Sequence, residues 1–176
     1  NKNASVGFFD SAYIDGVITV FMILFGINFN LYFLFLLKEW KTALKNEELW
    51  VYLGIIGASM AAITGNILHI YGNIFRAFRY ASFQVASVIT TTGFCTADYD
   101  RWPELSKMIL MSLMFVGACA SSTGGGIKVS RLIILWKSVR QEVRKILHPN
   151  AVTVIRVNGR KIGDRKSTRL NSSHFH

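Results

Sequence analysis

The stretch that decides the fold of this chain reads Val88-Ile89-Thr90-Thr91-Thr92-Gly93-Phe94-Cys95. It carries no charge and lies between two longer apolar spans. β-Branched threonines disfavour a helix, and glycine reaches backbone angles that other residues rarely adopt. Irregular backbone at membrane depth is tolerated only where protein buries it or where it lines a wet cavity. A pore is therefore the first hypothesis.

The composition indicates a membrane protein. The chain has 176 residues, is 51% hydrophobic and has a mean hydropathy of +0.33. Only 17% of its residues are charged, against about 25% in ordinary soluble domains. The net charge of +10 is concentrated in two runs, residues 128–145 and 156–169. Directly after an apolar span, such cations are expected on the cytoplasmic side of a membrane, although nucleic-acid binding is the generic alternative.

Two apolar stretches predict transmembrane helices. Residues 17–37 carry no charge, and a helix of that length exceeds the roughly 30 Å hydrocarbon core of a bilayer. Residues 49–70 form the second span, which is rich in small residues that let helices approach closely in lipid. Asn28 and Asn30 are expected to hydrogen-bond to another helix, with the lining of a conduction path as the rarer alternative. Residues 38–48 predict a polar linker.

Residues 78–89 predict a pore helix, because they have helical character but are too short to cross a membrane. The uncharged filter, residues 90–95, follows, and a polar turn containing Trp102 and Pro103 comes next. A short helix that enters, turns at an irregular loop and leaves on the same side is a re-entrant pore loop.

Residues 105–147 predict a broken helix. Its centre contains Ser121-Ser122-Thr123-Gly124-Gly125-Gly126, and each glycine costs about 1 kcal/mol in a helix relative to alanine. The run does not fit a phosphate-binding loop, which needs Gly-Lys followed directly by Ser or Thr. The break is interpreted as a hinge or gate, with a packing kink as the bland alternative. Lys128 is expected to extend to the cytoplasmic interface, or else to place a repulsive charge near the ion path.

A potassium filter needs closely spaced backbone carbonyls that replace the hydration shell of the ion. Thr91, Thr92, Gly93 and Phe94 are the predicted ligands, with extended threonines aiming their carbonyls inward. The pore helix would point the negative end of its dipole towards the cation path. A polar kink in a buried hairpin is the alternative. No hydrolytic or redox motif is present in the sequence, so an enzyme is not expected.

The remaining sequence supports smaller predictions. Cys95 and Cys119 are too few for a metal or disulfide framework and are expected to be buried free thiols. Residues 148–163 predict a cytoplasmic hairpin around Asn158-Gly159. Residues 164–176 resemble translated sequencing-adapter sequence and predict a non-native tail.

Taken together, the motifs resemble the Trk/Ktr/HKT family of potassium transporters. The resemblance is carried by residues 87–94, Asp98-Tyr99, Trp102-Pro103 and residues 121–128, and residues 9–11 and 26–30 also resemble the family. The family is built from four repeats, each with a helix, a pore helix and filter, and a second helix. The resemblance implies an all-α polytopic membrane protein with a potassium-channel-like repeat. Residues 1–48 would be the end of the second repeat and residues 49–147 the complete third.

The resemblance also implies roles for individual residues. Gly93 is the filter glycine, preceded by Thr91 and Thr92 as carbonyl donors. An intramembrane loop over residues 118–128 gates the pore. The gate residues would be Ser122, Thr123, Gly124, Gly125, Gly126 and Lys128.

Potassium uptake through the bacterial inner membrane is the function that the resemblance implies. Potassium would be the transported ion, with no organic cofactor and no nucleic-acid partner. The implied partners are a second copy of the full-length subunit, forming a homodimer, and a cytosolic nucleotide-binding regulatory ring of the TrkA type. Because the chain supplies one filter segment of four, it is expected not to conduct alone. The alternatives are a non-conducting structural membrane module and a basic binder of membrane surfaces or nucleic acid.

Overall fold

The structure is a computed structural model that describes residues 6–147, 156–157 and 160–161. The chain divides into two units, Asn1–Leu132 and Ile133–His176. Short 3-10 turns occupy Val6–Phe9 and Tyr99–Arg101. The helices are, in chain order, α1 (Ala12–Phe25), α2 (Phe29–Leu36), α3 (Trp40–Leu44), α4 (Glu47–Tyr71), α5 (Ile74–Ile89), α6 (Glu104–Phe115) and α7 (Val129–Leu147).

Residues 17–37 do not form the single helix that their apolarity predicts. The chain bends by 90° between α1 and α2, at residues 26–28, called here the short break. A side chain on Gly26 would place its Cβ 2.0 Å from the hydroxyl oxygen of Tyr52, so Tyr52 would have to shift to admit any other residue. Asn28 then starts α2, because its side chain accepts a hydrogen bond of 2.9 Å from the Asn30 backbone N–H. The prediction was wrong because it weighed hydrophobicity alone, whereas the backbone leaves the helix at Asn28 and a new helix starts there.

α4 is the one helix among the described residues that is long and apolar enough to cross a membrane by itself; α1 and α2 qualify only together, as one bent span. Asn46 begins α4 by accepting hydrogen bonds from the backbone N–H groups of Glu48 and Leu49. Tyr52, Ile56, Ile63 and Ile67 form its buried face, at the spacing that brings residues to one side of a helix.

α5 is the buried centre of the first unit. It begins at Ile74, earlier than the predicted 78, where the Asn73 side chain accepts a hydrogen bond from the Phe75 N–H. All residues from 81 to 87 are buried, and α5 packs against α1, α4 and α6. An ion pair of 2.7 Å joins Arg79 to Asp15 of α1, whose side chain is 2% exposed.

The predicted break within residues 105–147 falls between α6 and α7. It spans residues 116–128, called here the glycine-rich segment, and therefore begins before the glycine cluster itself. α7 starts in the first unit and continues into the second. In the second unit, β1 (Arg156–Val157) pairs antiparallel with β2 (Arg160–Lys161). The other residues of the predicted hairpin and the tail 164–176 lie outside the described residues.

Candidate functional site

The C-terminal end of α5 is closed by a tight reverse turn of the backbone. The Thr91 N–H donates to the Val88 carbonyl at 3.0 Å, and the Thr92 N–H donates to the Ser87 carbonyl at 2.9 Å. These two bonds are the paired contacts of a Schellman motif, which requires its central residue to adopt a left-handed conformation. That residue is Thr91, with φ of 56°. The helix therefore ends at the threonine run.

The sequence predicts an extended backbone at Thr91. In the structure, Thr91 instead adopts the left-handed conformation. Glycine usually fills this position, and a β-branched residue there is strained by about 1–2 kcal/mol. The strain accompanies a specific contact, since the Thr91 Oγ1 accepts a hydrogen bond of 2.8 Å from the Gly125 N–H. The end of α5 is thus joined directly to the glycine-rich segment.

The carbonyl groups after Thr90 are unequally used. Within the described residues, the carbonyls of Thr91, Thr92 and Gly93 accept no hydrogen bond. The Phe94 carbonyl, in contrast, accepts one of 2.6 Å from the Ser87 hydroxyl. Gly93 has φ of 79°, so the backbone turns at this residue. Three of the four predicted ligand carbonyls are therefore unengaged, and the fourth is tied to α5.

The two ends of the glycine-rich segment are hydrogen-bonded to each other. The Gly117 N–H donates to the Ile127 carbonyl at 2.9 Å, and the Ile127 N–H donates to the Phe115 carbonyl at 3.1 Å. A Cβ on Gly117 would lie 2.0 Å from the Gly125 carbonyl oxygen. Gly126 has φ of 73°. The glycines are therefore needed both for close backbone approach and for a left-handed turn.

The glycine-rich segment also contacts the short break. The Cys119 N–H donates to the Gly26 carbonyl at 3.0 Å, and the Phe29 N–H donates to the Ser121 carbonyl at 3.2 Å. The Thr123 hydroxyl adds a bond of 3.3 Å to the Phe25 carbonyl. The unpaired backbone groups of one helix interruption thus satisfy those of the other, as buried backbone requires.

The sequence-predicted gate residues lie together in this segment. The Ser122 hydroxyl donates to the Cys119 carbonyl at 2.6 Å. Gly124 is buried, and its carbonyl accepts a hydrogen bond from the Lys128 Nζ. The ammonium group of Lys128 therefore turns back onto the glycine-rich segment, which differs from the predicted extension towards the interface. Its positive charge lies beside Gly124, the neighbour of the residue that contacts Thr91.

Glu48 is a site residue that the sequence did not reveal. Its side chain is 6% exposed, and its Oε1 accepts hydrogen bonds from the backbone N–H groups of Ala120 at 2.6 Å and Ser130 at 3.2 Å. Its Oε2 accepts a weaker bond of 3.4 Å from the Asn28 amide. An acidic residue in the first turn of a helix is ordinary, so position alone gave no signal.

The two cysteines are not joined in a disulfide. Cys119 is buried and Cys95 half-buried, both as free thiols. Within the described residues no group of three or more His, Cys, Asp or Glu side chains is placed to bind a metal ion.

These features define an all-α polytopic membrane protein. A helix long and apolar enough to cross a membrane, a buried helix that ends in unengaged carbonyls and a broken helix follow one another along the chain.

The chain belongs to the TrkH family, described as cation transport proteins, which matches residues 42–170. Membership confirms the resemblance drawn from the motifs, together with the all-α membrane fold and the bacterial inner-membrane location. The family consists of transport proteins and not of enzymes. Its match includes part of the segment 164–176, whose non-native origin stays a prediction.

Known proteins are similar over most of this chain. The Trk system potassium uptake protein TrkH of Salmonella typhimurium is 35% identical over 167 residues, which are 93% of this chain and 34% of that protein. The protein of the same name from Escherichia coli K12 is 34% identical over the same shares. The crystal structure of the potassium transporter TrkH from Vibrio parahaemolyticus superposes with a TM-score of 0.82 at 34% identity, covering 89% of this chain and 35% of that one. The chain spans about a third of the length of these relatives.

Proposed function

We propose that this chain supplies one of four filter segments in a Trk-type pore for potassium uptake. The observation that carries the proposal is the end of α5, where the carbonyls of Thr91, Thr92 and Gly93 are unengaged within the described residues. Backbone carbonyls are the groups that replace the hydration shell of potassium in a filter. The C-terminal pole of α5 adds negative potential at the same place.

The proposed ligands are the carbonyl oxygens of Thr91, Thr92 and Gly93. Phe94, the fourth ligand predicted from the sequence, has its carbonyl on the Ser87 hydroxyl at 2.6 Å. We assign this bond the task of fixing the outer end of the filter to α5, with the second lone pair of the Phe94 carbonyl available to an ion.

The glycine-rich segment is the proposed gate. It contacts the filter through the Thr91–Gly125 hydrogen bond. A displacement of the segment would therefore break this bond or move Thr91. Lys128 brings a positive charge to the Gly124 carbonyl. A cation leaving the filter on that side would meet this charge, which opposes passage until the segment moves.

One filter segment cannot enclose an ion. We therefore propose that the chain is inactive alone and conducts only within the full-length subunit, as a homodimer with a cytosolic nucleotide-binding ring of the TrkA type. Selective potassium flux through liposomes that contain only these 176 residues would contradict this.

The decisive experiment compares two glycines in the full-length protein. Gly93 has φ of 79° and Gly72 has φ of 62°, and a Cβ on either would meet no atom within 4 Å. Gly93→Leu and Gly72→Leu therefore carry similar backbone strain, but only the first crowds the filter. We expect Gly93→Leu to abolish growth rescue of a potassium-uptake-deficient strain, whereas Gly72→Leu keeps it.

A second experiment tests the gate. Deleting one residue of the Gly124–Gly126 run should raise the resting potassium leak of proteoliposomes and leave the potassium-to-sodium flux ratio unchanged. A non-conducting structural module would instead show no flux change for either variant. A folded Gly93→Leu protein with wild-type uptake would refute the filter assignment.

A further inference from the structure

The Glu48 carboxylate lies where the two helix interruptions meet. It reaches Ala120 in the glycine-rich segment, Ser130 in the first turn of α7, and Asn28 in the short break. We infer that Glu48 is a positioning residue that anchors the glycine-rich segment to the short break and so holds the gate in place. The consequence for gating rests on the proposed function; the anchoring does not.

The start of α7 explains why an acceptor must come from elsewhere. The first N–H groups of a helix have no partner within it, and a side chain just before the helix usually accepts from them. The residue before α7 is Lys128, whose ammonium group has no acceptor atom. The Oε1 of Glu48, 3.2 Å from the Ser130 N–H, takes that role from α4.

The same oxygen fixes the interior of the glycine-rich segment. The Ala120 N–H donates to it at 2.6 Å, a short distance typical of a charge-assisted hydrogen bond. One carboxylate oxygen thus joins residue 120 to residue 130, while Oε2 is held by the Asn28 amide.

The burial of Glu48 makes the anchor difficult to release. Among the described residues no cation lies within ion-pair distance of its carboxylate. Its charge is compensated by backbone and amide N–H donors, so withdrawing the segment would leave a buried charge without partners. A carboxylate in this position therefore resists displacement of the segment more strongly than a neutral side chain would.

The reactivity of the Cys119 thiol can be used to measure whether the glycine-rich segment is anchored. It precedes Ala120, its side chain is buried, and its N–H bonds to the Gly26 carbonyl. The experiment uses the full-length protein with Cys119 as its only cysteine, reconstituted in liposomes. It measures the rate of N-ethylmaleimide labelling and the resting potassium leak for Glu48→Ala, Glu48→Gln and Glu48→Asp. Glu47→Ala is the control, because it removes the same charge from an exposed side chain in the same helical turn.

We expect Glu48→Ala to label at least about tenfold faster than the parent, since about 1.4 kcal/mol of lost contact gives that factor. Glu48→Gln keeps an acceptor oxygen, so its labelling rate should lie between those of Glu48→Ala and the parent protein. Glu47→Ala should be labelled at the rate of the parent protein. Leak should rise in the order of labelling.

If folded Glu48→Ala is labelled at the same rate as the parent protein, the inference is overturned. If Glu48→Ala does not fold, Glu48→Asp is the test variant, because its carboxylate is one methylene too short to keep both backbone contacts. A labelling rate equal to that of the parent protein would again overturn the inference. Faster labelling with unchanged leak would support the anchor and refute the gate.

Discussion

The short break and the glycine-rich segment interrupt two different helices and lie against each other, but they arise in different ways. The glycine-rich segment spans residues 116–128 and is closed on itself by the bonds between Gly117, Ile127 and Phe115. The short break comprises only residues 26–28, and side chains from other helices, the Tyr52 hydroxyl and the Thr90 methyl group, lie against Gly26.

The difference shows that a helix can be broken from within or from outside. A run of glycines weakens a helix wherever it is placed, because each one carries an entropic cost in the helical state. A single glycine in an apolar span is compatible with a membrane helix, and at Gly26 the side chain of Tyr52 from α4 occupies the space beside the interruption. The comparison can be tested by adding methyl groups to each interruption.

The largest effect is expected for Gly117→Ala in the full-length protein. The new Cβ would lie 2.0 Å from the Gly125 carbonyl oxygen, a backbone atom that cannot rotate away. We expect a loss of about 3 kcal/mol in stability, measured as a lower midpoint of thermal aggregation in detergent. Gly57→Ala serves as the control because a Cβ there meets no atom of this chain within 4 Å. Equal midpoints for the two variants would contradict the closed geometry of the segment.

Gly26→Ala should cost somewhat less, about 2 kcal/mol, because its nearest obstacle is a side chain. The Tyr52 hydroxyl lies 2.0 Å from the new Cβ and the Tyr52 Cζ 2.9 Å from it. Removing the hydroxyl with Tyr52→Phe should therefore restore part of the thermal midpoint in the double variant. Strict additivity of the two single changes would show that the clash with the Tyr52 hydroxyl does not cause the loss of stability.

Thr91→Ala and Thr91→Gly separate strain from contact. Both remove the acceptor of the Gly125 N–H, but only glycine relieves the left-handed strain at φ of 56°. We expect Thr91→Ala to lose about 1–2 kcal/mol and Thr91→Gly to be nearly neutral, while both raise potassium leak. Identical midpoints would mean that the left-handed conformation is not strained.

The smallest effect is expected at the helix caps. Asn28→Ala removes the acceptor for the Asn30 N–H, and Asn46→Ala removes the corresponding acceptor at α4. Each should cost about 1 kcal/mol of stability. Only Asn28→Ala should also speed the labelling of Cys119, because the Asn28 amide donates to the Glu48 carboxylate, whereas the Asn46 side chain accepts only from backbone N–H groups at the start of α4. Equal rates of Cys119 labelling in the two variants would show that the short break does not help to anchor the glycine-rich segment.

Much of the first unit could be predicted because the signals are local. The span at α4, the short α5, the threonine–glycine turn and the interruption before α7 all follow from hydropathy, length and the helix-breaking residues themselves. The conformation of Thr91 could not be predicted in this way. The Schellman motif places it in the left-handed region, where a β-branched residue is disfavoured, and its side chain is bonded to the distant Gly125 N–H.

The residues that join elements were the hardest to predict. Asp15 and Arg79 are far apart in the chain yet form an ion pair of 2.7 Å. Glu48 looks like an ordinary acidic residue at a helix start, and Lys128 looks like a cation at a membrane interface. Their roles depend on which backbone groups lie opposite them.

The sequence by itself determined the class of protein, the membrane setting and the residues at which irregular backbone is placed, because hydrophobicity and the conformational preferences of threonine and glycine act locally. Only the tertiary structure decided that the chain bends at Gly26, that the Phe94 carbonyl is held by Ser87, and that Glu48 joins two interruptions. The physical reason is that the approach of Tyr52 to Gly26 and the bonds of Glu48 join residues distant in the chain, and such contacts exist only after the helices have packed. The Ser87–Phe94 bond depends instead on how the turn after α5 folds back on its own helix, which residue preferences alone do not specify.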